Sequence, residues 1–186
     1  MAELVWREPV YDGWYRFARV GLRLPDGAVV ERHLLDNGSA VMVLPYDPVR
    51  RVVMLITQPR AGVLASGAPP VLEALAGGLD GMAPEQRIRE EAMEEGGLRL
   101  GTLEWVARVW SLPPVSTEQA DLYLAAYGEV DRIGPGGGAA DEQEHITVQE
   151  VGFDALRAMV LAGELADAKT LVLAQALLLR HPELWD

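Results

Sequence analysis

Glu91, Glu94 and Glu95 stand at i, i+3 and i+4, a spacing that puts three carboxylates on one face of an α-helix. Like charges that close repel unless a cation sits among them. Carboxylate oxygens are the ligands a hard cation such as Mg²⁺ takes, and Mg²⁺ often bridges from them to substrate phosphates. Standing alone, such a run is more often a solvated helix face. This one lies between two glycine signals, Gly77-Gly78-Leu79-Asp80-Gly81 before it and Gly96-Gly97 after it. Pro84 suits a first helical position, where its missing N–H is no loss. Gly96 and Gly97 suit a stop that needs a left-handed residue. Ile88 and Ala92 flank the acidic face and can dock the helix on a core, leaving the acids at the rim of a packed surface. Arg87 lies four residues before Glu91, on nearly the same face.

A second acidic feature follows downstream. Gly136-Gly137-Gly138-Ala139-Ala140-Asp141-Glu142-Gln143-Glu144-His145 reads as a mobile glycine loop delivering acids to the mouth of a strand. By itself it reads equally as an ordinary acidic surface loop. His33, His145 and His181 are scattered, form no triad and are most simply structural. Trp6, Trp14 and Trp105 are expected to pack rather than stack on a ligand.

The elements that must position these residues alternate in type. Residues 14–24 read as a strand, Pro25-Asp26-Gly27 as a turn and Val29 to Leu35 as the returning strand of a hairpin. Ser39 to Pro45 and Arg51 to Gln58 read as two buried strands around the Asp47-Pro48 turn. Residues 61–70, with Gly62, Gly67, Pro69 and Pro70, read as a loose loop. Strands are expected over Thr102 to Trp110, Ala120 to Tyr127 and His145 to Val151, with a rigid loop at 112–117 and a flexible one at 134–140. Asp154 is expected to cap a helix ending at Gly163, and Asp167 a second one running to about Arg180. Strands first, one helix in the middle and two at the end fit an α/β chain with helices on both sides of a sheet.

Composition narrows the function. The chain has 186 residues, 49% hydrophobic and 24% charged, with a net charge of −12. That size suits one ordinary domain with a small addition. The charge opposes nonspecific nucleic-acid binding, which needs basic patches. It tolerates a phosphate substrate if metal ions and a few arginines neutralise it locally. Without cysteine there is no thiolate chemistry, disulfide or zinc–thiolate site. No stretch reads as a signal peptide or a membrane span, so a cytoplasmic protein is expected.

Glu91-Ala92-Met93-Glu94-Glu95-Gly96-Gly97-Leu98 resembles the signature box of the Nudix hydrolases, whose core reads Arg-Glu-apolar-x-Glu-Glu-x-Gly-apolar. The sequence departs from it twice. Glu90 stands where the family usually has Arg, and Met82 or Ala83 where it has a Glu. Arg87 could supply the missing positive partner. The resemblance implies an α/β/α sandwich around a mixed sheet, with an N-terminal antiparallel hairpin over residues 1–36 and the hydrolase domain over 37–186.

The second loop is similar to one in the ADP-ribose and GDP-mannose pyrophosphatase branch of that family. By this resemblance Glu91, Glu95, Glu144 and the Ala76 carbonyl would hold Mg²⁺, with Mn²⁺ as a substitute. Glu142 would activate water, a role it could exchange with Glu144, and Glu94 would orient the ligands from behind. Gln58-Pro59-Arg60 resembles the branch's Gln-aromatic-Arg, so Arg60 would hold a phosphate through a bidentate guanidinium. Glu73 matches a Glu before the branch's Ala-Gly and by this resemblance would contact substrate or structure the loop, and Glu118 closes a Ser-rich stretch that would lie near substrate. Gly163-Glu164-Leu165-Ala166-Asp167-Ala168-Lys169-Thr170 matches another run of the branch and reads as a helix-capping corner.

The implied reaction is Mg²⁺-dependent hydrolysis of a nucleoside diphosphate sugar to a nucleoside monophosphate and a sugar phosphate. A homodimer with swapped N-terminal strands is the implied assembly. A dinucleoside polyphosphate or nucleoside triphosphate is the alternative substrate, and an inactive nucleotide-sugar-binding module the alternative role.

Overall fold

The computed structural model describes residues 1–138 and 144–185. In chain order its strands and helices are β1 (Glu3–Asp12), β2 (Arg16–Arg23), β3 (Val29–Asp36), β4 (Ala40–Asp47), β5 (Val52–Thr57), α1 (Ala61–Ala65), β6 (Leu75–Gly78), α2 (Pro84–Gly96), β7 (Glu104–Trp110), β8 (Gln119–Ala126), β9 (Thr147–Gly152), α3 (Phe153–Ala162) and α4 (Ala168–Arg180). The chain divides into two units, one of residues 1–39 and 109–120, the other of residues 40–108 and 121–186.

In the larger unit, β4 and β5 are buried on both faces, which accounts for their continuous apolar runs. They belong to a six-stranded sheet ordered β7-β8-β4-β5-β9, with β6 paired to β4. Val41, Val43, Met54 and Ile56 share one core cluster with Ile88 and Ala92 of α2. Successive strand residues point to opposite faces, so Met42, Leu44, Val53 and Leu55 look the other way. Against that side come α3 and α4, which bury Phe153, Leu156, Leu173 and Leu177. The result is an α/β/α sandwich.

β4 and β5 pair directly only at Tyr46↔Val53 and Asp47↔Val52. Along the other half of β4, from Ala40 to Val43, β6 is the antiparallel partner. Its lead-in residue Glu73 exchanges two backbone hydrogen bonds with Ile56 of β5, at 2.8 and 2.9 Å. A short strand is thus wedged where β4 and β5 diverge, and it carries the glycine loop up to α2.

The smaller unit holds the antiparallel sheet β1-β2-β3. The expected antiparallel hairpin is present as β2 and β3, and Glu3–Asp12 adds an unexpected third strand along β2. β1 is almost wholly exposed, so its sequence shows no one-sided alternation and gives no strand signal. Three further expectations are corrected. Residues 61–70 are not all loop but begin with the one-turn α1. Gly152, not Asp154, is the cap residue of α3, and Asp154 lies in its first turn. Trp14 is 92% exposed within the chain and does not pack there, whereas Trp6 lies over Gly21, where a Cβ would stand 2.1 Å from its indole nitrogen. Among the described residues no helix is long and apolar enough to cross a membrane.

Candidate active site

The acidic helix begins at Pro84 and ends on Gly97, whose φ of 65° is left-handed, as the glycine stop requires. Its Ile88 and Ala92 are fully buried and press the helix onto β4, β5 and β6. That docking carries Glu91 and Glu95 inward, to 6% and 1% exposure. They lie deeper than the expected rim position.

Glu95 faces β6, where its Oε2 accepts the Ala76 N–H at 2.8 Å. Ala76 itself pairs with Met42 of β4. Burial pushes the Glu95 carboxyl up to about 9. The Ala76 N–H and Arg60 oppose the rise, and the neighbouring Glu91 and Glu144 add to it. Excess negative charge in a desolvated place is what protonates such a carboxyl.

Glu91 runs directly over Gly77, where a Cβ would stand 1.6 Å from its Oε1. A side chain there would push the Glu91 carboxylate aside. Arg87 pairs through Nη2 with this same oxygen. Its Nε donates to the Gly78 carbonyl at 3.1 Å. Its Nη1 lies 3.6 Å from Glu90 and 3.7 Å from the half-exposed Glu94. The acidic face therefore carries a cation of its own.

Arg60, just past β5, forms a two-pronged pair with Glu73, Nε to Oε1 at 3.0 Å and Nη2 to Oε2 at 2.7 Å. Burial works against the Arg60 charge, but Glu73, Glu95 and Glu144 outweigh it and raise its pKa. Arg60, Glu73, Ala76, Glu91, Glu95 and Glu144 are thus brought together in the larger unit. Glu118 lies in the other unit, where it accepts from Asn37 Nδ2 at 2.6 Å and from the Ser111 hydroxyl. Glu142 lies outside the described residues.

The second glycine loop is tied down over residues 134–138, contrary to the flexible loop expected there. Gly137 N–H donates to the Glu95 carbonyl at 2.8 Å and Gly138 N–H to the Glu94 carbonyl at 3.0 Å. These are end carbonyls of α2, which have no helical donor of their own. A Cβ on Gly136 would stand 2.2 Å from the Glu95 carbonyl oxygen, so this close approach demands glycine. Glu144 then comes back against Gly138, where a Cβ would be 2.8 Å from its Oε2.

The donor set suits a hard divalent cation: the carboxylates of Glu91, Glu95 and Glu144 with a backbone carbonyl are all oxygen ligands, and the raised Glu95 carboxyl marks uncompensated charge. Among the described residues, no three His, Cys, Asp or Glu side chains are gathered tightly enough to hold a metal ion as they stand. Glu91 is engaged by Arg87 instead.

No family model matches the chain. It is 39% identical over 159 residues to a GDP-mannose pyrophosphatase of Cronobacter sakazakii, covering 83% of this chain and 82% of that one. It is 33% identical over 160 residues to a GDP-mannose pyrophosphatase of Escherichia coli O1:K1, covering 84% and 83%. The chain belongs to the Nudix hydrolases, in their nucleotide-sugar branch. A crystal structure described as an ADP compounds hydrolase superimposes with a TM-score of 0.75 over 96% of this chain and 92% of that one, at 17% identity. At that identity the likeness speaks for the fold alone.

Nudix hydrolases in general use divalent metals. In this Nudix chain the place before Glu91 holds Glu90, and the ion pair to Glu91 comes from Arg87 one turn earlier. Two contacts escaped the sequence reading. The Arg60–Glu73 pair joins two residues that the sequence treats separately, and nothing in their spacing marks them as partners. The docking of Gly134–Gly138 on α2 had a signal in the density of glycines, but that signal also fits a free loop.

Proposed function

We propose that this protein hydrolyses the diphosphate of a nucleoside diphosphate sugar of the ADP-ribose or GDP-mannose type, with Mg²⁺ as cofactor. Products are a nucleoside monophosphate and a sugar phosphate. The observation that carries the reading is the buried Glu95 carboxyl, raised to about 9 beside Glu91 and Glu144 with Arg60 at hand. Relatives 33–39% identical that are named GDP-mannose pyrophosphatase support the substrate class.

Glu91, Glu95, Glu144 and the Ala76 carbonyl would hold the cation. A divalent ion there supplies positive charge to a diphosphate and acidifies water. Arg60 donates its guanidinium to a phosphate oxygen, and Glu73 keeps that guanidinium oriented through its two hydrogen bonds. Glu142 takes the proton of the attacking water. Glu94 steadies the ligands from behind, and Arg87 holds Glu91 over Gly77. Glu118 contacts substrate.

The protein works in the cytoplasm as a homodimer whose N-terminal strands, residues 1–36, pair with a second subunit around the hydrolase domain of residues 37–186. Exposed Leu4, Val10, Tyr11 and Trp14 in and beside β1 support that assembly. Light scattering on the chain with and without residues 1–36 tests it.

A panel of nucleoside diphosphate sugars, dinucleoside polyphosphates and nucleoside triphosphates, assayed with millimolar Mg²⁺ against wild type and Glu95→Gln, tests the reaction. Turnover of the diphosphate sugars by wild type, lost by several orders of magnitude in the variant, is expected. Preference for either of the other classes would displace the substrate assignment. Binding without turnover would leave a sensor.

A further inference from the structure

The corner that opens α4 touches the site from the far side of the sheet. Asp167 caps the helix by accepting the Thr170 N–H at 2.7 Å. The same carboxylate oxygen accepts the Thr170 hydroxyl at 2.8 Å. Lys169 Nζ lies 3.2 Å from the other oxygen. With its proton committed to Asp167, the Thr170 oxygen is left as an acceptor, and it takes the Ala74 N–H at 2.8 Å. Thr170 and Ala74 are both fully buried, so water cannot replace that bond.

Ala74 stands between the two anchor points of the candidate site. Glu73, on one side, holds Arg60 with its side chain and Ile56 with its backbone. Ala76, two residues on, donates to Glu95. Between these points, among the described residues, the lead-in to β6 is supported by the Thr170 side chain. A cap needs only the Asp167 carboxylate and the Thr170 N–H; the hydroxyl and its bond to Ala74 are surplus to capping.

We infer that Thr170, held by Asp167, is a positioning residue that sets the register of Glu73 and Ala76 through the Ala74 N–H. The inference rests on the reading of Arg60, Glu73, Glu95 and Ala76 as site residues. Supports behind a set of ligands commonly change metal affinity about 10- to 100-fold when removed.

The test compares Thr170→Val, which keeps the shape and loses the hydroxyl, with Thr170→Ser, which keeps the hydroxyl. Three quantities are read well below the melting temperature: amide exchange of residues 71–78 by NMR, Mn²⁺ affinity by calorimetry, and kcat and KM with the best diphosphate sugar. Expected for Thr170→Val are faster Ala74 and Ala76 exchange, Mn²⁺ affinity weaker by about tenfold or more, and kcat lower by a similar factor, with Thr170→Ser near wild type. A lower melting temperature with unchanged Mn²⁺ affinity and kcat would reduce the corner to a helix cap and overturn the inference.

Should Thr170→Val not fold, Asp167→Asn keeps a capping acceptor while loosening the hydroxyl. Weaker Mn²⁺ binding in that variant supports the inference, and unchanged binding overturns it. If wild type turned over no nucleotide sugar, the proposed reaction would fall, while exchange and Mn²⁺ affinity would still decide the role of Thr170.

Discussion

Glu95→Gln should make the metal-free protein more stable while abolishing its activity. The folded carboxyl is raised to about 9 from an ordinary value of 4.5. Folding therefore takes up a proton between those limits, and stability falls as pH rises through them. At pH 7 the unfolded chain has given up the proton and the folded chain keeps it. At about 1.4 kcal/mol per pH unit, that interval costs roughly 3 kcal/mol. A glutamine is neutral in both states and avoids the cost. Its carbonyl oxygen can still accept the Ala76 N–H that Glu95 now holds at 2.8 Å.

For a chain of this size a gain of roughly 3 kcal/mol raises the melting temperature by about 6–12 °C. Thermal and urea unfolding in the presence of a chelator, at pH 5 and pH 7.5, measure it. The gain should be large at the higher pH and shrink to about 1 kcal/mol at the lower, which lies only half a unit above the unfolded value of 4.5. Added Mg²⁺ should raise the wild type toward the variant and leave the variant almost unmoved. A Glu95→Gln protein less stable than wild type at pH 7.5 without metal, or one with equal gains at both pH values, would refute the account of Glu95 as a desolvated, uncompensated acid.

Gly77→Ala should fold, because the obstacle to its Cβ is the end of the flexible Glu91 side chain at 1.6 Å. It should nevertheless cut kcat by about 100-fold, since a carboxylate displaced by an ångström is misplaced for catalysis; steady-state kinetics on the folded variant check this. Gly136→Ala combines a φ of 68° with a Cβ 2.2 Å from the Glu95 carbonyl oxygen, so it should lower stability by about 2 kcal/mol and also lose activity as the loop leaves α2; urea unfolding and turnover read the two effects. Arg50→Met strips the buried Asp47 of its 2.7 Å guanidinium bond and should cost about 2 kcal/mol with kcat unchanged. Burial alone would raise Asp47, but Arg50 and the Val49 and Arg50 N–H groups outweigh it and hold the carboxyl below its ordinary value. Its contribution is therefore present at neutral pH and lost as pH falls, and the variant's unfolding curve should depend less on acid than the wild type's.

Local chemistry was legible in the sequence where it depends on neighbours along the chain. The i, i+3, i+4 acids, Pro84 at the helix start and Gly97 at its left-handed stop follow from helix geometry alone. So does the Asp167 cap, while β4 and β5 are legible as continuous apolar runs between turn signals. β1 could not be read, because a strand exposed on both faces leaves no periodic trace. What only the tertiary structure decided is which distant groups meet. Ile88 and Ala92 bury the helix deeply enough to turn Glu95 from a rim acid into a desolvated one. The wedge of β6 between β4 and β5 brings Ala76 to Glu95 and Glu73 to Arg60. The Gly134–Gly138 loop finds the open carbonyls of α2, and Thr170 finds Ala74 across 96 residues. A sequence carries the residue types that can make such bonds. Their partners are selected by packing, because burial leaves each polar group to be satisfied by whatever the fold sets beside it.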